Sequence, residues 1–475
     1  MIFSSILFLF YFLPLVISGY YLLCFSRKLQ NYFLFFASIF FYAWGNIKST
    51  FILLFSILIN YIFGLMVTYC KSKKHLLRYL LTLMCATNLG ILFIYKYSGF
   101  VVRNINDFTQ KNYIVPQLAL PLGISFFTFQ AISYVIDVSR GTARVQKNPF
   151  YLGLYIALFP QLIAGPIVKY AAIEKQILFR KNTLRKFSVG CCRFLTGLGK
   201  KIIIANTMAI VADKIYQLIP LYTISVSLAW LGSIAYSLQI FFDFSAYSDM
   251  AIGLGLIFGF EFDENFNYPY MSASVTEFWR RWHISLTTWF KDYVYFPLGG
   301  SRVKNNDIMV RNMLIVWLLT GIWHGAEWTF LFWGLYHFFI ILLEKVFRNP
   351  HKKNHSIVNH IYTLLMINWG WVLFRSSNLS IALSLFQTMF GIKYKGIFCD
   401  YTILFLKEYG IFLIFGIIFS TPVAKRCNRL LVENRFGIAG FFMNVSYLFC
   451  IICIFFVCVT YLVKGSYNPF IYFNF

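Results

Sequence analysis

A histidine between two glycines inside an apolar run is the best-placed residue in this sequence to do chemistry. His324 lies in Gly321-Ile-Trp-His-Gly325, and from Asn312 to Leu343 the only ionisable groups besides tyrosine are His324, Glu327 and His337. Ionisable groups at membrane depth are costly, so each marks a functional hypothesis. An imidazole, with an unperturbed pKa of about 6.5, suits removal of a proton from an alcohol attacking a thioester. The competing reading is a core histidine satisfied by a neighbouring carbonyl, and spacing leaves both open. His337 fits that core reading better, because no break is expected around it.

A second candidate stretch runs from Asn265 to Arg302. It mixes Glu277, Arg280, Arg281 and His283 with Trp279, Trp282 and Trp289. An interfacial aromatic belt explains the tryptophans well and the glutamate and the double arginine less well. Arg280 and Arg281 suit bidentate contacts to the phosphates of a donor nucleotide. They are equally spaced to pair with Glu277 at i, i+3 and i, i+4. In Gln239-Ile-Phe-Phe-Asp-Phe-Ser-Ala-Tyr-Ser-Asp249, Asp243 and Asp249 lie between apolar flanks and need partners. Arg280 or Arg281 is the expected partner, and a structural ion pair is favoured over direct catalysis. Glu277, Trp279, Arg280, Arg281 and Asp243 form the candidate substrate-binding set.

Other chemistries find no footing. There is no Gly-x-Ser-x-Gly elbow and no Walker A loop. Gly253 to Gly259 approaches a dinucleotide fingerprint but has no strand before it. Cys450 and Cys453 form a Cys-x-x-Cys with no matching Cys or His cluster, so they read as helix packing and no metal site is expected.

Membrane helices must position these groups. Hydrophobic residues make up 59% of the 475 and charged residues 12%, against roughly 45–50% and 25% in soluble domains. The 42 lysines and arginines outnumber 17 acidic residues, and they fall in short bunches between apolar runs. That pattern matches cytoplasmic loops facing anionic lipid and argues against nucleic-acid binding. Candidate spans begin near Phe3, Asn31, Phe51, Tyr79, Ile114, Phe150, Phe187, Leu221, Met309, Thr329, Val358, Ile403 and Ala439. The stretches Tyr247–Phe260 and His283–Pro297 are shorter and suit re-entrant or interfacial helices. The expectation is an all-α polytopic protein of roughly 11–13 transmembrane or re-entrant helices, each span needing about 20 residues. The 32 residues from Asn312 to Leu343 would extend about 48 Å as one helix, so a break is expected near Gly321 and Gly325.

Basic clusters at Lys71–Arg78, Lys169–Lys201, Lys345–Lys353 and Lys425–Arg435 are expected on the cytoplasmic side. Arg27 and Lys28 follow the first run, which places the N-terminus outside. The last run, ending near Val463, delivers the C-terminus outside as well. No cleaved signal peptide is evident, and a single membrane domain over residues 1–475 is the simplest organisation.

At these blocks the chain resembles the membrane-bound O-acyltransferase (MBOAT) family, in the branch of the alginate O-acetyltransferase membrane subunit. The resemblance runs through FFYAWGN from Phe40, PLGISFFTFQAISYVIDV from Pro121 and FPQLIAGPIVKY from Phe159. It continues through FDFSAYSDMAIGLG from Phe242, the long block from Asn265 to Arg302, and LLTGIWHGAEWTFLFWGLYH from Leu318. Ala246 stands where relatives often carry glycine. The resemblance implies a ring of tilted helices around a central tunnel, where a cytoplasmic acyl donor and an extracytoplasmic acceptor meet. It implies that His324 is the catalytic membrane histidine and that His283, in a second motif, contributes.

The last residues, Phe470-Ile-Tyr-Phe-Asn-Phe475, look like the terminal motif of this branch, found also on a small partner peptide in wall D-alanylation systems. By that likeness Tyr472 is an acyl carrier; the competing reading is an interfacial anchor among phenylalanines. The resemblance further implies acetyl-CoA as donor substrate, with no bound cofactor. It implies a bacterial inner-membrane location and a separate extracytoplasmic SGNH-type or related transferase as partner. The acceptor polymer would be alginate, cellulose or peptidoglycan. D-Alanyl or lipid acyl transfer keeps the fold and changes the cargo. A polysaccharide or lipid transporter is the rival from another class.

Overall fold

Short polar side chains set many helix starts locally. Ser26 accepts from the Leu29 amide ahead of Arg27–Ala43, and Asn46 accepts from Lys48 and Ser49 ahead of Ile47–Tyr69. Asn148, Ser274, Asn305, Ser356 and Asn378 do the same at later starts. Each satisfies amides that a first turn leaves without intrahelical partners. This computed structural model describes residues 1–163, 165–303, 305–347, 356–423, 425–427, 438–465 and 467–469. Its regular elements are helical, with no strand among the described residues. Eight of these helices are long and apolar enough to cross a membrane, and Phe8–Leu22 and Leu379–Met389 are shorter apolar helices. The protein is an all-α polytopic membrane protein.

The chain divides into two compact units, Met1–Phe194 with Ser248–Asp263, and Leu195–Tyr247 with Glu264–Phe475. In the first, the spans Ile47–Tyr69 and Lys74–Lys96 both pack on Ile124–Arg140. Buried Asn60 and Asn88 join the two spans by exchanging amide hydrogen bonds of 2.9 Å in each direction. Such pairs hold membrane helices together where lipid offers no alternative partner.

Two expected spans and one expected short helix differ from the structure. The one placed near Ile114 begins at Ile124, because residues 111–121 are not helical. The one near Phe150 splits into Pro149–Ala157 and Phe159–Leu162. Pro160 cannot donate the backbone bond a continuous helix needs. Tyr247–Phe260 is not a separate short helix: residues 247–257 complete the 32-residue helix Val226–Ile257. The stretch after His283 does stay short, as Ile284–Phe290 followed by a π turn at Lys291–Tyr295.

In the second unit the expected break falls at His324. Asn306–His324 ends there, Gly325 is extended, and Trp328–Phe347 returns against it. The two helices touch backbone to backbone through glycines. A Cβ on Gly321 would lie 2.5 Å from the Phe330 carbonyl oxygen, and one on Gly334 2.5 Å from that of Trp317. Gly334→Ala should therefore cost about 1–3 kcal/mol by overpacking. Gly90→Ala, with nothing within 4 Å, is the control. Melting in detergent, followed by size-exclusion chromatography, checks this; equal melting temperatures would remove glycine's steric role at Gly334.

Candidate active site

The break leaves His324 on the last helical turn, 6% exposed. Ring centroids of Trp323, Trp333 and Phe374 lie 4.9, 5.0 and 5.1 Å from its own. Aligned peptide dipoles place partial negative charge at a helix C-terminus, which favours a cation there.

His283 meets the same Trp323, at a ring-centroid distance of 6.0 Å. It is buried, and its backbone is left-handed at φ 43°. Such strain in a non-glycine residue costs on the order of 1–3 kcal/mol and persists only where surroundings enforce it. Here Asn265 enforces it. The Asn265 carbonyl accepts from the Ile284 amide at 3.0 Å, and its side-chain oxygen accepts from the Ser285 amide and hydroxyl at 3.2 and 2.9 Å. The same oxygen stands 3.2 Å from His283 Nδ1. An oxygen receiving the Ser285 amide is an acceptor, so the proton sits on Nδ1 and the basic nitrogen is Nε2. His283 lies outside the eight spans, and burial pushes its pKa down, so the ring is neutral at pH 7. Phe244 packs edge-on at 4.5 Å.

His337 is a different case. It is 1% exposed and boxed by Trp279, Trp317, Trp333 and Tyr336. Trp279 donates its indole N–H to His337 Nδ1 at 3.4 Å. Gly370 leaves the room the ring needs, since a Cβ there would lie 2.7 Å from His337 Nε2. This is a satisfied core histidine, and Trp279 is committed to it. Trp333 touches both His324 and His337.

Glu277 and Arg281 pair at 2.6 Å within Val275–Arg281, and Glu277 also accepts from the Ala273 amide at 2.9 Å. Arg280 is exposed. The expected pairing of the aspartates with Arg280 or Arg281 is not what forms. Asp243 pairs with Lys201 at 2.6 Å, both buried, and Asp249 pairs with Arg193 at 2.8 Å. The reason is local: Lys201 and Arg193 lie within the continuous helix Leu184–Leu218, so Lys201 is an interior cation and not part of a basic loop.

Sequence reasoning passed over three positioning groups. Lys201 was hidden in a basic run. Asn265 carries no charge to draw attention, yet it is fully buried and ties residues 265–267 to 281–285. Glu344, one residue past the His337 run, accepts from the Val275 and Thr276 amides at 2.7 and 2.9 Å and from the Thr276 hydroxyl at 2.7 Å. It caps the helix that leads to His283. Nearby, burial and Arg280 push the Lys291 pKa down. No group of three His, Cys, Asp or Glu side chains that could hold a metal occurs among the described residues. Tyr472 lies outside the described residues, as do Arg348, Lys352, Lys353, Arg429 and Arg435 of the basic clusters.

Comparison with known proteins bears on this geometry. Residues 142–386 match the family MBOAT, membrane-bound O-acyltransferase family. The "Probable alginate O-acetylase AlgI" of Azotobacter vinelandii is 41% identical over 396 residues, covering 82% of this chain and 78% of that protein. The "Peptidoglycan O-acetyltransferase" of Helicobacter pylori is 36% identical over 427 residues, covering 83% and 80%. The "Teichoic acid D-alanyltransferase" of Bacillus subtilis is 28% identical over 264 residues, covering 52% and 64%. With a buried histidine at a helix break and a second one against the same tryptophan, this chain belongs to the membrane-bound O-acyltransferase family and is an acyltransferase.

Proposed function

We propose that the protein takes acetyl from cytoplasmic acetyl-CoA and passes it across the bacterial inner membrane for O-acetylation of an extracytoplasmic polysaccharide. The observation that carries this reading is that relatives named as O-acetylating enzymes align over about four-fifths of the chain. The D-alanyl relative aligns over 52% at lower identity, which makes D-alanyl transfer the second reading. The chain is proposed to act as one membrane domain, with both termini outside.

In the proposed step, His324 takes the proton of the acceptor hydroxyl. The oxygen attacks the thioester carbonyl, the carbon–sulfur bond breaks, and the departing thiolate takes the proton back to leave as CoA. His283, neutral, with Nε2 basic and close to the same tryptophan, assists at that centre. Arg280, the exposed member of the arginine pair, steadies donor phosphates. The first acceptor is the Tyr472 hydroxyl, and a separate extracytoplasmic SGNH-type transferase moves acetyl from there to polymer.

Feeding the purified protein labelled acetyl-CoA should release CoA and leave label on the chain. A transporter would move substrate with no thioester consumed. Labelled D-alanyl donor accepted in preference to acetyl-CoA would favour the second reading. Tyr472→Phe keeps the aromatic anchor and removes only the hydroxyl. It should abolish label on the chain and lower polymer acetylation at least tenfold; unchanged acetylation would reject the relay.

A further inference from the structure

Residues 467–469 are held by three successive contacts along one helix. The Tyr467 hydroxyl donates to Asp213 Oδ2 at 2.8 Å. Asn206 Nδ2 donates to Asn468 Oδ1 at 3.1 Å. Lys201 Nζ donates to the Pro469 carbonyl. As the tail advances from 467 to 469, its partners retreat from 213 to 206 to 201 along Leu184–Leu218. At 1.5 Å per residue the partners are spread over about 18 Å of helix. The tail therefore runs back down the helix, towards the buried Lys201–Asp243 pair.

The upper contact is itself built. Asp213 Oδ1 holds Arg375 at 2.6 Å while Oδ2 receives Tyr467, so both carboxylate oxygens are engaged. The Arg375 guanidinium lies over the rings of Tyr216 and Tyr236, at 5.3 and 5.8 Å. An aspartate so fixed presents its second oxygen in one direction. A tail serving only as a membrane anchor has no need of three side-chain partners on a single helix.

We propose that this helix face, with Asp213, Asn206 and Lys201, is a seat that holds residues 467–469 of the C-terminal tail along the helix. Tyr472 follows Pro469 by three residues, a reach of at most about 11 Å. The seat thus acts as a positioning device for the terminal tyrosine, a role that rests on reading Tyr472 as the acyl carrier. Asp213 and Asn206 are positioning residues.

The test uses the full-length protein in detergent and alters the tail, leaving the helix intact. Tyr467→Phe/Asn468→Ala removes two of the three contacts without unpairing Arg375. Carboxypeptidase digestion followed by intact mass should release the terminal residues at least tenfold faster than from the unaltered protein. In a separate assay, kcat for acetyl transfer should fall at least fivefold with KM for acetyl-CoA unchanged. A single Tyr467→Phe change should give intermediate values in both. Equal digestion rates would overturn the seat, and faster digestion with unchanged kcat would overturn its positioning role. Tyr472→Phe, measured alongside, should leave digestion at the unaltered rate. Should it also leave transfer unaltered, the relay fails while the digestion result still decides the seat.

Discussion

Replacing His324 by alanine lowers acyl transfer by about 10²–10⁴-fold, the contribution expected of a positioned general base, while the protein still inserts and elutes as a folded species. The ring occupies the end of Asn306–His324 and meets three aromatic rings, so its removal leaves a small void among Trp323, Trp333 and Phe374. His337→Ala provides the contrast. It leaves the Trp279 indole N–H buried and without its acceptor, which costs about 1–3 kcal/mol. His337→Ala should therefore lower the melting temperature more than His324→Ala and lower kcat far less. The measurements are CoA release from labelled acetyl-CoA and melting in detergent, made on both variants. Retained turnover in His324→Ala would reject the base assignment. Equal loss in the two variants would reduce both to packing.

The break at His324 was legible because an apolar run too long for one crossing must turn, and glycines mark where. The short helix after His283 was legible from an apolar stretch too short to span. The partners of Asp243 and Asp249 were not. Their need for cations followed from burial alone, but choosing a cation requires knowing which helices meet. Lys201 looked like a loop residue because its neighbours in sequence are basic, and only a continuous helix through Lys200–Ala205 draws it inside. Asn265 and Glu344 were missed for a related reason. Each acts on backbone amides distant in sequence, 275 and 276 for Glu344 and 284 and 285 for Asn265, and no periodicity encodes that. Gly370 illustrates the limit further: its meaning appears only beside His337, on the neighbouring helix.

Lys201→Met should destabilise the protein by about 3–5 kcal/mol, because it leaves the Asp243 carboxylate buried without its cation. Asp243 and Lys201 side chains are 3% and 4% exposed and 2.6 Å apart, so solvent cannot replace the lost partner. Methionine keeps the length and apolar stem of lysine and removes the charge together with the donor to Pro469. If the loss is electrostatic, removing the second charge must restore stability. Lys201→Met/Asp243→Leu should then melt within a few degrees of the unaltered protein, since an apolar pair of similar volume often equals or exceeds a buried ion pair. Persistence of the full loss in the double variant would mean that Lys201 matters through Pro469, its other partner, and not through Asp243. The two causes also separate in the digestion assay. Loss of the Lys201–Pro469 contact exposes the tail in both variants, whereas the charge imbalance exists only in the single one. A double variant that is stable yet digests rapidly would show that one lysine carries two separable tasks: neutralising a carboxylate, and holding Pro469 against the helix.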